Sequence, residues 1–462
     1  MRYLPISLTL VLGLALGSIA VADALSGTAH AQEVLNTIKV DARAGVTGPV
    51  GGDVIQGSVI ASQSRWIAGR IATESIVRTD DGREISVRQP GGTIDGIGMR
   101  QFPGQPVLAF GDRTELELWP SDRQSGQKAG ATVTAIRDVS RVVSLDRSYG
   151  GNVLPKSGVP GRMDFVRTTN DNGAELYWES GCIFLSFDSE GTTHLPASDE
   201  IALLQQVFQT WRSAVASCSY LEFSFDGIEA TSGGFDGKNV VKFLEDFWGR
   251  PATEDSAEQR YSPEAAALTT LFFVNDPESP RNGEILDGDI EMNAVNFRVS
   301  AEGNSDAPGN GCLSDLANTL THEAGHLMGL DHTCRAPAEP ARLDHTGSPV
   351  PSCIPLDQLS SEITEATMFN FQECGETKKI TPADDDIAAI CAIYGNAEDP
   401  GTCERARLTS DNGACSASGS GGPSGLTFLL VALCAGLLLL RRRESSHVLA
   451  RSRRRDRLAR RR

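Results

Sequence analysis

The stretch THEAGHLMGLDHT, from Thr321 to Thr333, holds three of the seven histidines in this chain of 462 residues. Apolar residues recur through and just before it at helical intervals, and this pattern predicts an amphipathic helix. On such a helix His322 and His326 lie on one face, about one turn apart, with Glu323 beside them. The two histidines can therefore bind one metal ion, and the glutamate can lean over the same site.

The remainder of the stretch predicts a third ligand. Gly329 can adopt a left-handed conformation and end the helix, so that the chain turns and brings His332 back to the metal. Three neutral imidazoles leave the fourth position of a tetrahedral zinc ion open to water, which is the catalytic arrangement. Zinc lowers the pKa of bound water from about 15.7 towards 7, and the carboxylate of Glu323 can take the proton. The spacing thus predicts one catalytic zinc ion.

These positions resemble the HExxHxxGxxH signature of the metzincin zinc peptidases. The resemblance implies that the three histidines bind zinc and that the glutamate is the general base. Metzincins also have a methionine turn below the metal, and the stretch EATMFNF offers Met368 for this structural role. Astacin-like and serralysin-like metzincins place a tyrosine two residues after the methionine. Asn370 occupies that position here, so the chain resembles the matrixins instead.

Flanking segments resemble matrixin elements in the order of that family. Leu204–Ala214 resembles the first long helix and Lys378–Gly395 the last helix. The stretch GEILDGDIEMN resembles the edge strand that pairs with a bound peptide, which makes Gly283, Asp289 and Asn293 candidate substrate contacts. The implied fold is α+β, with a mixed twisted sheet that carries the zinc helix and a small all-β domain before it.

Two further metal sites that occur in matrixins must be considered, a structural zinc site and a calcium site. Matrixins often hold a structural zinc ion through histidines upstream of the catalytic helix, but no histidine lies between His194 and His322. We therefore expect one zinc ion only. Calcium is common in the family too, and Asp287, Asp289 and Glu291 alternate along the predicted strand as candidate calcium ligands. A solvated acidic face of the strand is the alternative interpretation.

The region before the predicted zinc domain differs from it in composition and in predicted secondary structure. Residues 32–148 contain neither histidine nor cysteine. Short runs of strand-forming residues such as DVIQGSVIAS and TELELW alternate with Gly, Pro and Asp, which predicts a small antiparallel barrel or sandwich. The region lacks the cysteine with which matrixin propeptides cap the zinc. We interpret it as an accessory or substrate-positioning module, and a propeptide with another inhibitory mode is the alternative.

Both ends of the chain indicate export. Arg2 precedes an apolar run, and AHA before Gln32 is a typical cleavage site of a signal peptide. Near the other end, a cysteine (Cys415), a Gly/Ser-rich stretch, a short apolar run and an arginine cluster resemble the MYXO-CTERM class of sorting signals. In that class the cysteine marks processing. We therefore expect an extracytoplasmic protein that is membrane-anchored or sorted to the cell surface.

These patterns divide the chain into seven parts. They are a signal peptide (1–31), a β-rich accessory domain or prodomain (32–148), a linker (149–172), a metzincin-like zinc peptidase domain (173–397), a flexible spacer (398–425), a hydrophobic anchor or sorting segment (426–440) and a basic cytoplasmic tail (441–462). The tail carries a charge of +9, from eleven arginines, Glu444 and Asp456, so the rest of the chain carries −27 (−18 minus 9). Such an acidic body repels nucleic acid, which we exclude as a partner.

Cysteine usage agrees with export. Eight of the ten cysteines lie in the predicted exported part before Cys415, and an even number in an exported chain predicts disulfides. The predicted pairs are Cys334–Cys353, which would close a long insertion, and then Cys182–Cys218 and Cys391–Cys403.

The sequence thus predicts an exported zinc-dependent endopeptidase, with a protein or peptide as substrate and with membrane contact through its C-terminal segment. A catalytically silent surface binding protein on the same scaffold is the alternative. Loss of the glutamate would be its signature, and Glu323 is present.

Overall fold

The computed structural model describes residues 53–103, 106–119, 136–144, 165–252, 258–304, 311–336, 339 and 341–410. The predicted signal peptide, the sorting segment with Cys415 and the basic tail lie outside the described residues. All described residues belong to one unit of the chain, Met1–Asn412. None of the helices in these described ranges is long and apolar enough to span a membrane.

The described residues form the following secondary structure. The strands are β1 (Asp53–Ile67), β2 (Arg70–Thr79), β3 (Glu84–Pro90), β4 (Gly92–Ile94), β5 (Ile97–Phe102), β6 (Arg113–Leu118), β7 (Arg137–Ser144), β8 (Val166–Arg167), β9 (Cys182–Asp188), β10 (Glu222–Glu229), β11 (Asn239–Leu244), β12 (Gly249–Arg250), β13 (Gln259–Arg260), β14 (Ala267–Val274), β15 (Ile285–Asn293), β16 (Arg298–Ser300), β17 (Leu313–Asp315) and β18 (Leu330–Asp331). The helices are α1 (Ala197–Val215), α2 (Leu316–Leu327), α3 (Ser361–Thr364) and α4 (Asp384–Ile393), with 3-10 turns at Leu356–Gln358 and Asn396–Glu398.

The first strands close a small barrel in the order β1-β2-β3-β7-β6. Alternate residues of β6 point inwards, because successive side chains of a strand face opposite sides. Val59, Val77, Val87, Leu116 and Leu118 fill the interior and are buried. The barrel therefore has a hydrophobic core of its own.

The second sheet has seven strands in the order β10-β9-β11-β15-β14-β5-β4. The first four run parallel to one another, whereas β14 is antiparallel to β15, and β5 is antiparallel to β14. In the sequence, β4 and β5 lie between the barrel strands β3 and β6. Two strands from the N-terminal part of the chain thus complete the sheet that supports the helix with His322 and His326.

Helices α1 and α2 pack together on one face of this sheet. Leu320, Ala324 and Leu327 of α2 belong to the main hydrophobic core, in which all three side chains are fully buried. A Cβ atom at Gly288 of β15 would lie only 2.5 Å from a methyl group of Leu327, so glycine allows the helix to approach the strand. On the other side of α2, the indole of Trp211 donates to the carbonyl of Thr321 at 3.0 Å.

The predicted edge strand is an interior strand. Strand β15 pairs with β11 on one side and with β14 on the other, and all nine of its residues are buried. Gly283, Asp289 and Asn293 therefore do not lie at an edge that a peptide can approach, and the prediction of an edge strand was wrong. Its polar side chains have hydrogen-bond or ion-pair partners inside the protein, which the sequence alone did not indicate.

Four disulfides are present among the described residues: Cys182–Cys403, Cys218–Cys391, Cys312–Cys374 and Cys334–Cys353. The predicted pair Cys334–Cys353 is confirmed, and the other two predicted pairs were wrong. Their partners come from distant parts of the chain, because Cys391 of α4 bonds to Cys218 just after α1 and Cys403 bonds to Cys182 of β9. Four disulfides are compatible with an oxidising, extracytoplasmic compartment.

Candidate metal centre

Helix α2 runs from Leu316 to Leu327 and carries His322, Glu323 and His326, as the helical pattern predicts. The side chain of Asp315 caps its start by accepting a hydrogen bond from the amide of Asn318 at 3.0 Å. After Leu327 the chain turns at Gly329, which has a φ of 95° and whose amide donates to the carbonyl of His326 at 2.9 Å. This left-handed turn was predicted and is confirmed. It directs the chain back towards the helix, so that His332 can meet the two helical histidines.

The three histidines converge. One ring nitrogen from each of His322, His326 and His332 lies within 4.8 Å of the other two, and the Nε2 atoms of His326 and His332 are 3.1 Å apart. Zinc–nitrogen bonds of about 2.0–2.1 Å place tetrahedral ligands about 3.3–3.4 Å apart, so this donor set fits a zinc ion. Among the residues that the structure describes, no other set of three His, Cys, Asp or Glu side chains converges in this way.

Main-chain carbonyls orient two of the rings. The Nδ1 atom of His322 lies 2.7 Å from the carbonyl oxygen of Thr367, and that of His326 lies 2.8 Å from the carbonyl oxygen of Leu330. An Nδ1–H that donates to a carbonyl leaves Nε2 with its lone pair for a metal. The amide of Thr367 in turn donates to Asp386 of α4 at 3.0 Å. The last helix therefore helps to hold the first ligand in place.

A negative charge lies directly behind the third ligand. Asp331 accepts a hydrogen bond from the amide of His332 at 2.8 Å, and its other close partners are Arg342 at 3.3 Å and Arg100 at 4.0 Å. Burial acts to raise the pKa of Asp331, but the two arginines, with smaller contributions from His332 and His326, bring it down to about 2. Asp331 thus stays ionised beside the histidines at neutral pH. It was not predicted, although its position next to His332 is a signal that could have found it.

Glu323 is fully buried, and strand β14 determines where its carboxylate lies. The hydroxyl of Thr269 on β14 donates to Oε2 of Glu323 at 2.5 Å. Thr269 was missed in the sequence because nothing in the run LTTLFFV distinguishes one threonine from the other. This hydrogen bond therefore fixes the carboxylate of Glu323, the candidate general base, beside Thr269 of β14.

Met368 packs against helix α2. Its sulfur lies so close to Gly325 that any side chain at this glycine would collide with it, and Met368 itself is 1% exposed. The carbonyl of Met368 also accepts a hydrogen bond from the amide of Thr333 at 3.1 Å. The methionine therefore lies against the helix next to His326, and it offers no group for proton transfer.

The acidic residues of β15 are buried rather than solvated. Asp287, Asp289 and Glu291 are each 0% exposed, so the interpretation as a solvated face was wrong. Arg70 of the barrel strand β2 lies 3.3 Å from both Asp289 and Glu291, and the amide of Gly237 donates to Asp287 at 2.7 Å. Burial raises the pKa of Asp287 to about 8 and that of Asp289 to about 7. Calcium binding at these residues stays a prediction.

Strand β5 contributes two residues, Phe102 and Arg100, to the site. The sequence did not indicate either of them. The ring of Phe102 stacks on the imidazole of His326, with centroids 4.4 Å apart and planes inclined by 15°. Arg100, two residues earlier on the same face, approaches Asp331. A cavity of about 1330 Å³ opens beside them, and its lining includes Arg88 of the barrel, Arg100 and Phe102 of the second sheet, and Tyr261 and His332 from the segments after β13 and β18. No local pattern places these N-terminal residues beside the zinc motif.

Comparison with known proteins adds little. No family model matches the chain, and no curated protein matches it. Among solved structures, the chain is similar to the crystal structure of metalloproteinase-II from Bacteroides fragilis, with a TM-score of 0.23 and 10% identity. The match covers 78% of this chain and 97% of that chain. A likeness this weak carries no argument about function.

Proposed function

We propose that this chain is a zinc-dependent endopeptidase of the matrixin-like metzincin type. The observation that carries the proposal is the convergence of His322, His326 and His332, whose donor atoms lie within 4.8 Å of one another. In two of the rings Nδ1 lies within 2.8 Å of a main-chain carbonyl oxygen, which makes Nε2 the nitrogen that would bind the metal. Such a set of three imidazoles is the ligand set of a catalytic rather than a structural zinc site.

In the proposed hydrolysis, each residue of the site has a separate role. Zinc, when bound, supplies a Lewis acid and makes water nucleophilic near neutral pH. The carboxylate of Glu323 takes a proton from the attacking water and passes it to the leaving nitrogen of the peptide. Thr269 orients that carboxylate through its hydroxyl. Asp331, held ionised by two arginines, places negative charge beside His332.

The proposed substrate is an extended protein or peptide chain that adds to a strand by main-chain pairing. Both neighbours of β15, β11 and β14, come from the same part of the chain, so we assign this role to β14, whose second neighbour, β5, comes from the N-terminal part. Strand β14 carries Thr269 and therefore passes next to Glu323. The four disulfides support an extracytoplasmic location. Export by the signal peptide and retention through the C-terminal segment are parts of the same proposal.

Glu323→Gln and His326→Ala test the mechanism when bound zinc and peptide cleavage are measured on the same samples. The glutamine variant should keep its zinc, because Glu323 is not a ligand, and should cleave about 10²–10⁴-fold more slowly, because the amide cannot accept a proton. The alanine variant should lose zinc affinity itself. Glu323→Gln that holds zinc and cleaves at the parental rate would rule out Glu323 as the base.

One observation favours the alternative function, a surface binding protein that does not cleave. His322, His326 and Glu323 are 0% exposed and His332 is 2% exposed, and of these four residues only His332 lines the adjacent cavity, so the site is closely covered in this conformation. The binding-protein hypothesis predicts that zinc is held and that no peptide is cleaved even when the site is made accessible. To test the binding-protein hypothesis, the residues that cover the site must first be displaced.

A further inference from the structure

The residues that cover the zinc motif belong to the N-terminal part of the same chain. The Phe102 ring lies on His326, and Phe102 itself is only 2% exposed. In the sheet, Phe102 is paired with Thr269, the residue whose hydroxyl binds the carboxylate of Glu323. The end of β5 therefore lies at the level of both a metal ligand and the candidate general base.

Strand β5 also occupies the pairing edge of β14. Six residues of β5 pair with β14 in antiparallel register, from Ile97 opposite Val274 to Phe102 opposite Thr269. The other edge of β14 is paired with β15. A peptide that adds to β14 needs the main-chain groups that β5 already uses. The two strands cannot bind there at the same time.

Contacts on both faces of β5 hold it in this position. On the face towards α2, Arg100 donates to the carbonyl of Thr169 at 2.8 Å and approaches Asp331 at 4.0 Å. On the opposite face, Met99 packs with Phe272 in a separate hydrophobic cluster and is 3% exposed. The strand is thus built into the sheet on both sides, rather than resting on its surface.

We propose that the segment Ile97–Phe102 keeps the peptidase latent by occupying the place of the substrate strand, with Phe102 as the cover over His326. This inference rests on the proposed function. A substrate can bind only in a conformation in which β5 has left the edge of β14. Activation is then any event that moves or removes this N-terminal segment, and the zinc ligands themselves need not change.

The test compares Phe102→Ala with Met99→Ala in the full chain. Both substitutions remove a large buried side chain from β5, but only Phe102 faces the histidines, so Met99→Ala controls for a general loosening of the strand. Two rates are measured: transfer of zinc to a colorimetric chelator, and cleavage of a library of quenched fluorescent peptides. Minor conformations of a protein are commonly populated at about 0.1–10%. If the open conformation of the parent is one of these, a variant that is mostly open should show both rates raised roughly tenfold or more.

We expect Phe102→Ala to exceed both the parent and Met99→Ala in both rates, and Glu323→Gln in the same chain to abolish the gain in cleavage. Phe102→Leu, which removes the stacked ring but fills most of its volume, serves for the same comparison if thermal melting finds Phe102→Ala unfolded. If the parent and the Phe102 variants transfer zinc and cleave peptides at equal, measurable rates, the latency inference is overturned and the peptidase proposal stays intact.

The two proposals fail in different ways. Faster zinc transfer from the Phe102 variants, with no cleavage by any of them, would support the cover over His326 and overturn the peptidase proposal. A parent chain that already cleaves as fast as its Phe102 variants would support the peptidase and overturn latency. The chelator measurement does not depend on catalysis, which keeps the two results separate.

Discussion

Substitution of Arg70 by methionine probes the buried link between the N-terminal part of the chain and the second sheet. The Arg70 side chain is 7% exposed and lies 3.3 Å from Asp289 and 3.3 Å from Glu291, both of which are 0% exposed. It also donates to the hydroxyl of Thr270 at 2.7 Å. Methionine has a similar length but no charge and no donor. The variant therefore leaves two buried carboxylates without this cation.

The expected loss of stability is large. Removal of one partner from a buried ion pair costs about 3–5 kcal/mol, because the remaining charge stays desolvated. We expect the lower part of this range, because Glu291 keeps its second partner, Arg250. With a urea slope of roughly 3 kcal/mol/M, the unfolding midpoint should fall by about 1 M. Equilibrium urea unfolding, followed by tryptophan fluorescence, measures this shift.

The loss should grow as the pH rises. Burial raises the pKa of Asp289 from 3.8 to about 7, and Arg70 is the charge that most opposes this rise. A carboxyl whose pKa is raised on folding favours the folded state at low pH and loses that contribution as the pH rises through the folded pKa. Without Arg70 the pKa of Asp289 rises further. The variant should therefore differ least from the parent near pH 6 and most above pH 8.

Arg78→Met is the matched control on the same strand. Arg78 pairs with Glu84 at 2.9 Å, but the two side chains are 57% and 53% exposed. Exposed pairs contribute about 0.2–1 kcal/mol, so this variant should unfold almost like the parent at every pH. Equal, small and pH-independent shifts for Arg70→Met and Arg78→Met would refute the reasoning.

Three further expectations concern the metal, the helix end and retention. Metal analysis should find one zinc ion per chain, lost together with activity below about pH 6, because protons compete for the imidazoles; two tightly bound zinc ions would contradict the site. Gly329→Ala should cost about 1–3 kcal/mol, because φ is 95° there and a Cβ would lie 2.7 Å from the carbonyl oxygen of Leu176; an unchanged melting temperature would contradict this. A chain that ends before Gly419 should appear in the medium while the full chain stays with the cells; equal fractionation of the two would argue against an anchor.

The zinc motif could be predicted from the sequence because its geometry is local. A spacing of four residues places His322 and His326 on one helical face, whatever surrounds the helix. The turn at Gly329 and the return of His332 follow within six further residues. Cys334 and Cys353 are also close in the chain, with a separation of 19, and their pairing was predicted correctly.

Only the tertiary structure decided which strands and charges meet. An alternating pattern indicates the two faces of a strand, but it does not indicate the neighbours of that strand, so β15 was placed at an edge. Arg70 and Asp289 are 219 residues apart, and their contact arises from packing of the barrel against the sheet. The same packing lays Phe102 on His326. The convergence of the three histidines therefore follows from the helical repeat and the turn at Gly329, whereas access to them is determined by long-range strand pairing, which has no local signal.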